Sequence, residues 1–176
     1  MFCGKSRLRH RQKNEVMYYP AVSRKTPVVF GNFKEIASEP YGAWGLESMD
    51  SHGGWVASAA DLVRFADSFN DTTILNRASI EQMFNAPDLR HWQDNRGNTK
   101  RVFYGLGWNV RSTRRGFNTW HLGKLSGTST LLVRRPDGFN WAILFNTGKC
   151  SDDVAPAIKI ETMLHRAVNS VRRWPE

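Results

Sequence analysis

Hydrophobic positions change their spacing along the chain, and these changes predict where helices give way to strands. Between residues 58 and 69 the apolar positions recur three and four residues apart, which is the period of an amphipathic helix. Ser58 can cap the free N–H groups of the first turn, and Asp61 is favourable to the helix dipole. The same pattern predicts a second helix over about 77–85, ended by Pro87.

Strand-like segments follow from residue 102 onward. Four short segments rich in β-branched and aromatic residues are separated by turns, and they span residues 102–110, 117–122, 128–134 and 140–145. Because the connections are of hairpin length, consecutive segments are expected to pair antiparallel. The predicted fold class is therefore α+β, with an antiparallel meander of about four to five strands and helices packed on it.

A long C-terminal helix is predicted over about 152–173. Its apolar residues recur at roughly helical spacing, with two aspartates at its start and Arg172 and Arg173 at its end, as the helix dipole favours. Pro156 suits the first turn, where a missing N–H costs nothing. Between the second helix and the strands, the polar residues 88–100 predict an exposed loop.

The first 40 residues show neither a sustained helical nor a sustained strand periodicity. They are expected to be largely irregular, with one short strand. The main domain is expected over residues 41–176. Residues 1–25 hold seven of the 25 basic residues and one acid, which leaves 15 acids and 18 basic residues for the rest. Such an arm is more often a solvated segment than a binding site, and no nucleic-acid motif accompanies it. The alternative function, a non-catalytic module that holds an anionic polymer through this arm, stays open.

Other classes of protein are not indicated. No apolar run approaches the ~20 residues that span a bilayer, and the start lacks a secretory signal, so we expect no membrane partner and, for the chain as given, a cytoplasmic location. Sequence alone leaves open whether Cys3 and Cys150 pair. The five histidines and two cysteines show no metal-ligand spacing, and no metal or cofactor is predicted.

Four blocks of sequence carry a family resemblance. They read Gly-Gly-Trp-Val-Ala-Ser from residue 53, Tyr-Gly-Leu-Gly-Trp from 104, His-Leu-Gly-Lys-Leu-Ser-Gly-Thr-Ser from 121, and Trp-Ala-Ile-Leu-Phe-Asn from 141. In this order and spacing they resemble the C-terminal half of the serine β-lactamase-like family, which includes class C β-lactamases, penicillin-binding DD-peptidases and related esterases. The resemblance covers roughly residues 50–147 and implies a partial β-lactamase/transpeptidase-like fold.

That family places three motifs around its active-site cleft. They are Ser-x-x-Lys on a helix, Tyr-x-Asn or Ser-x-Asn on a loop, and Lys-Thr-Gly or His-x-Gly on an edge strand. No serine in this chain has a lysine three residues later. Ser68-Phe69-Asn70 fits the second motif by letters, but it ends a predicted helix in the wrong block. Only the third motif is present, as His121-Leu122-Gly123.

The resemblance implies roles for the residues of this third motif. The backbone N–H of Lys124 would donate to the oxyanion of an acyl-transfer reaction. Gly123 would keep the strand surface bare so that substrate can approach. His121, in place of the more usual lysine, would polarise the site or meet a substrate carboxylate. Leu122 and Ser126 would contribute to substrate binding.

The function implied is that of a C-terminal fragment of a serine hydrolase whose family acts on ester, peptide or β-lactam substrates. Because the nucleophile motif is missing, a nucleophile and base that act as a unit are both lost, and little or no activity is expected from the chain alone. Whether the chain is an enzyme stays open. The expected partners are a small-molecule or peptide substrate, and either a second copy or the missing N-terminal half.

Overall fold

A computed structural model gives the fold and describes residues 1–49, 52–85, 102–148 and 154–174. The predicted loop at 88–100, Pro87, Cys150 and the two aspartates before the last helix lie outside these residues. The chain divides into two compact units. The first contains Met1–Ser58, Leu122–Leu131 and Ile143–Glu176, and the second contains Ala59–His121 and Leu132–Ala142.

The N-terminal part of the first unit contains four short strands. They are β1 (Phe2–Cys3), β2 (Lys25–Pro27), β3 (Ile36–Ser38) and β4 (Trp55–Val56), with β1 paired to β4 and β2 to β3, both antiparallel. Three of them fall in the first 40 residues, where one was expected. Strands of two or three residues are too short for an alternating pattern to be recognised in the sequence. Cys3 carries a free thiol.

Two carboxylates, those of Glu15 and Glu47, hold the basic N-terminal segment in place. Glu15 is buried and accepts hydrogen bonds from the Tyr18 hydroxyl at 2.9 Å and from the Gln12 backbone N–H at 3.1 Å. Burial, together with the Glu15 carboxylate, raises the pKa of Tyr18. Partial burial would raise the pKa of Glu47. The side chain and backbone N–H of Ser6 donate hydrogen bonds to the Glu47 carboxylate, and their effect is larger, so the pKa of Glu47 is lowered. The segment is therefore fixed by internal polar contacts.

A five-stranded antiparallel sheet follows, and its strands lie side by side in chain order. They are β5 (Val102–Tyr104), β6 (Asn109–Thr113), β7 (Gly116–Gly123), β8 (Ser129–Arg134) and β9 (Asn140–Phe145). This order confirms the predicted meander and the α+β fold class.

The segment at 102–110, predicted as one strand, is two strands separated by a tight turn. The Gly105 N–H donates to the Trp108 carbonyl at 2.7 Å, and Gly107 has φ +81°, in the left-handed region that favours glycine. The Leu106 N–H donates to the carbonyl of Met83 at 3.1 Å. The prediction was wrong because the apolar alternation continues through the turn, and only the two glycines mark the reversal.

Two helices complete the second unit, as predicted. They are α1 (Ala59–Asp67) and α2 (Arg77–Phe84), and the side chain of Asn76 caps α2 by accepting from the Ser79 N–H at 2.9 Å. The apolar faces of both helices meet the sheet in one core. Its buried members are Ala66, Phe69, Phe84, Trp108, Val110 and Leu132.

The C-terminal helix, α3 (Pro156–Ser170), belongs to the first unit. Pro156 lies in its first turn, as predicted. The helix begins against β8, where the buried Ala157 N–H donates to the Ser129 hydroxyl at 3.2 Å. Farther along, Ile158 and Met163 are 49% and 65% exposed. None of the helices in the described part of the chain is long and apolar enough to span a membrane.

Candidate functional site

The predicted site residues lie at the end of β7 and in the turn that follows it. The sequence analysis placed this motif on an edge strand, but β7 is the middle strand of the sheet, between β6 and β8. The register shows that the end of β7 continues beyond its pairing with β6. Residues 116–120 of β7 pair with β6, and the last pair is Asn109 with Trp120. Residues 121–123 therefore extend past the beginning of β6, so the end of a central strand acts locally as an edge.

His121 is the first residue of this extension, and its side chain is exposed. Its Nε2 lies 2.9 Å from the hydroxyl oxygen of Tyr104, which is within hydrogen-bonding distance. The two rings are 5.9 Å apart between centroids, with an interplanar angle of 62°. His121 is therefore held by a neighbour and still reachable from solvent, as a substrate-contacting side chain must be.

Gly123 ends β7. Glycine was predicted here because it leaves room for substrate, and the structure shows a second reason, in the packing of the sheet. A Cβ atom at this position would lie 2.2 Å from the hydroxyl oxygen of Thr130 and 3.5 Å from its Cβ. Thr130 belongs to the neighbouring strand β8. Any larger residue at position 123 would have to displace the threonine, so the bare surface at the end of β7 is also a requirement of sheet packing.

The turn after β7 is built to hold one shape. Lys124, whose N–H is the predicted oxyanion donor, is exposed at its beginning. The Leu125 N–H donates to the Thr128 hydroxyl at 3.1 Å. Gly127 is buried with φ +79°, and a Cβ there would lie 3.0 Å from both the Tyr18 Cβ and the backbone nitrogen of the next residue. The turn thus packs directly against the N-terminal segment of its own unit.

The two residues predicted to bind substrate differ in their surroundings. Leu122 is half-buried. The Ser126 hydroxyl donates to the Glu39 carboxylate at 2.8 Å, and a nitrogen of the Arg24 guanidinium lies 4.0 Å from the same carboxylate. A substrate that used Ser126 would have to compete with this bond, so the first role of the serine is to fix the turn.

The second-motif match at residues 68–70 has a structural explanation. The Ser68 hydroxyl donates to the backbone carbonyl of Phe65 at 2.6 Å, at the end of α1. Phe69 is buried in the core of the second unit. This stretch therefore ends a helix and fills a core, in agreement with the sequence interpretation that it is not a catalytic motif.

Tyr104 is the residue that sequence reasoning missed. It stands in the matched block that begins at 104, but nothing in the sequence assigned it a role. The register shows the reason for its position: Tyr104 pairs with Asn109 on β6, and Asn109 pairs with Trp120 on β7, so the three lie in one row next to His121. This relation depends on the turn at 105–108, which the predicted single strand did not include.

Comparisons with known proteins give one match. A family model described as Beta-lactamase matches residues 9–160, which is more than half of the chain. No curated protein and no solved structure matches. The structure adds that no group of three metal-ligating side chains occurs among the residues it describes.

Proposed function

The chain belongs to the beta-lactamase family, and from this membership we propose that the end of β7 is one wall of an acyl-transfer site for ester, peptide or β-lactam substrates. One observation carries the proposal. The stretch 121–123 extends past β6, with His121 exposed on it and Lys124 exposed directly after it. An extended substrate can pair with a strand end of this kind.

Each residue then has a chemical task. As the carbonyl carbon of a substrate becomes tetrahedral, its oxygen gains negative charge and needs an N–H donor already aimed at it. The Lys124 backbone N–H supplies one such donor at the end of the strand. His121 contacts a carboxylate or carbonyl of the substrate. The fixed turn at 124–128 keeps these donors from having to reorganise as charge develops.

The family's Ser-x-x-Lys nucleophile motif is not among these 176 residues, since no serine is followed by lysine at the third position. We therefore propose that the chain alone does not form an acyl-enzyme, and that another polypeptide segment supplies the Ser-x-x-Lys and Tyr-x-Asn motifs.

The test separates binding from turnover. Purified chain should hydrolyse a chromogenic cephalosporin and a p-nitrophenyl ester no faster than buffer does, and a fluorophosphonate probe should not label it. Millimolar benzylpenicillin should nevertheless shift the backbone amide NMR signals of residues 121–124. His121→Gln should abolish these shifts, whereas His52→Gln, which removes another exposed histidine, should leave them unchanged.

Either half of this expectation can fail separately. Covalent labelling of a single serine would show that the chain carries its own nucleophile, and it would contradict the proposal that the chain alone forms no acyl-enzyme. If the amide shifts are absent, or if they persist in His121→Gln, the end of β7 is not part of the substrate-binding site.

A second candidate function, binding of an anionic polymer, is favoured by the charges of the N-terminal segment. Each of the four acids before residue 49 has an internal partner; they are Glu15, Glu35, Glu39 and Glu47. Within residues 1–49, the exposed basic side chains Arg9, Lys13, Lys25 and Lys34 form no salt bridge with a carboxylate of the described residues. The net positive charge of the segment therefore faces solvent.

Binding to a double-stranded DNA oligonucleotide, used as an anionic probe, tests this candidate. Four neutralised phosphates predict an affinity that falls about a hundredfold between 50 and 200 mM salt. Replacing Arg9, Lys13, Lys25 and Lys34 together with glutamine should remove that binding, and Arg114→Gln with Arg115→Gln, in an exposed hairpin, should not. Deletion of residues 1–25 is a poorer test because β1 and Ser6 are part of the folded unit. Equal losses in the two variants would exclude the N-terminal segment as the binding surface.

A further inference from the structure

Tyr104 and His121 form a pair whose chemistry goes beyond placing a histidine at the site. Tyr104 is 56% exposed, and its hydroxyl oxygen lies 2.9 Å from Nε2 of His121. No other hydrogen bond of the His121 ring occurs within the residues that the structure describes. The Nδ1 atom is thus the ring nitrogen left for a ligand.

We propose that the Tyr104 hydroxyl donates a hydrogen bond to Nε2 and so keeps the neutral ring of His121 in the Nδ1–H form. A phenol remains protonated at neutral pH and is a good donor, whereas a neutral imidazole has one donor nitrogen and one acceptor nitrogen. When Nε2 accepts from the phenol, the ring proton must be on Nδ1. When the ring is protonated, both nitrogens carry protons, and the phenol oxygen can accept from Nε2 instead.

The consequence is that Nδ1 donates a hydrogen bond in both charge states of the ring. A tyrosine partner can donate or accept, so it orients the ring without requiring one charge state. A lysine at the same position would also be a donor at all times. The Tyr104–His121 pair can therefore donate a hydrogen bond as the lysine more usual in the family does. Unlike that lysine, the histidine does not have to be charged to donate.

This inference rests on the proposed function and names the class of group that the wall recognises: a hydrogen-bond acceptor, such as a carboxylate or carbonyl oxygen. The exposed side chain of Lys124 follows directly after this strand end. Its positive charge favours an anionic acceptor. Tyr104 is in this scheme a positioning residue, since it acts through His121.

The tautomer can be measured directly on the full chain without any ligand. In protein labelled with ¹⁵N-histidine at pH 8, long-range proton–nitrogen spectra should show Nδ1 of His121 as the protonated nitrogen and Nε2 as the unprotonated one. His121→Gln identifies the signals. Tyr104→Phe keeps the ring contact, removes only the hydroxyl, and should abolish the Nδ1–H excess. Tyr19→Phe, which removes a hydroxyl from a tyrosine of matched exposure (54%), should leave it unchanged.

The outcomes distinguish the inference from the proposed function. A ring that carries its proton on Nε2 in the unaltered chain, or a tautomer that does not respond to Tyr104→Phe, would overturn the inference even if benzylpenicillin still shifts residues 121–124. An Nδ1–H ring that responds as expected, in a chain where benzylpenicillin shifts nothing, would support the pair and overturn the proposed function instead.

Discussion

Replacing Trp108 with alanine is expected to lower the free energy of unfolding by about 4 kcal/mol. The residue is 4% exposed and stands at the centre of the second unit's core. Three phenylalanine rings surround it: Phe69 at 5.8 Å and 88°, Phe84 at 6.3 Å and 73°, and Phe65 at 6.4 Å and 14°. Truncation removes one side of every one of these contacts and leaves a cavity between two helices and the sheet.

Urea unfolding followed by far-UV circular dichroism measures this loss without relying on the tryptophan that is removed. Leu106→Ala is the matched control, because Leu106 is two residues away in the same turn but 64% exposed. Its effect should stay within about 0.5 kcal/mol. Losses of similar size in the two variants would mean that the aromatic cluster is not the core of this unit.

The elements that sequence predicted well are those whose signal is local and repeated. Helix α1 and helix α3 each present an apolar stripe over several turns, and α3 has a proline where a first turn accepts it. The strands from β7 to β9 were predicted to within one residue or so because each is bounded by turn residues. The strand at 102–110 was wrong because alternation continues across a turn that two glycines make.

For the candidate site, the sequence predicted where the residues lie on the strand but not the contacts that orient them. The position of His121 and Gly123 at a strand end, with Lys124 directly after it, followed from their motif and neighbours. The contacts that orient the site join residues far apart in the chain: 17 residues separate Tyr104 from His121, and 87 separate Glu39 from Ser126. Such pairs are set by the register of strands and the packing of segments, which no local period of a single sequence encodes.

The turn between β5 and β6 yields the second prediction of large effect. Gly105→Ala is expected to cost about 3 kcal/mol of the free energy of unfolding. A Cβ at this position would lie 2.2 Å from the backbone carbonyl oxygen of Met83, and that oxygen accepts the Leu106 N–H. A backbone atom in helix α2 cannot rotate away as a side chain can, so the turn and the helix would have to separate. Thermal and urea unfolding of the variant measure the cost.

Gly107→Ala separates this steric effect from backbone strain within the same turn. Apart from its two chain neighbours, no described residue has a heavy atom within 4 Å of a Cβ built at Gly107, but its φ of +81° is unfavourable for alanine. The expected loss is therefore only about 1 kcal/mol, the cost of a left-handed backbone conformation. If Gly107→Ala destabilised the chain as much as Gly105→Ala, the contact with Met83 would not be what limits residue 105. Because Tyr104 precedes this turn directly, Gly105→Ala should also weaken the Tyr104–His121 hydrogen bond, whereas Gly107→Ala should preserve it.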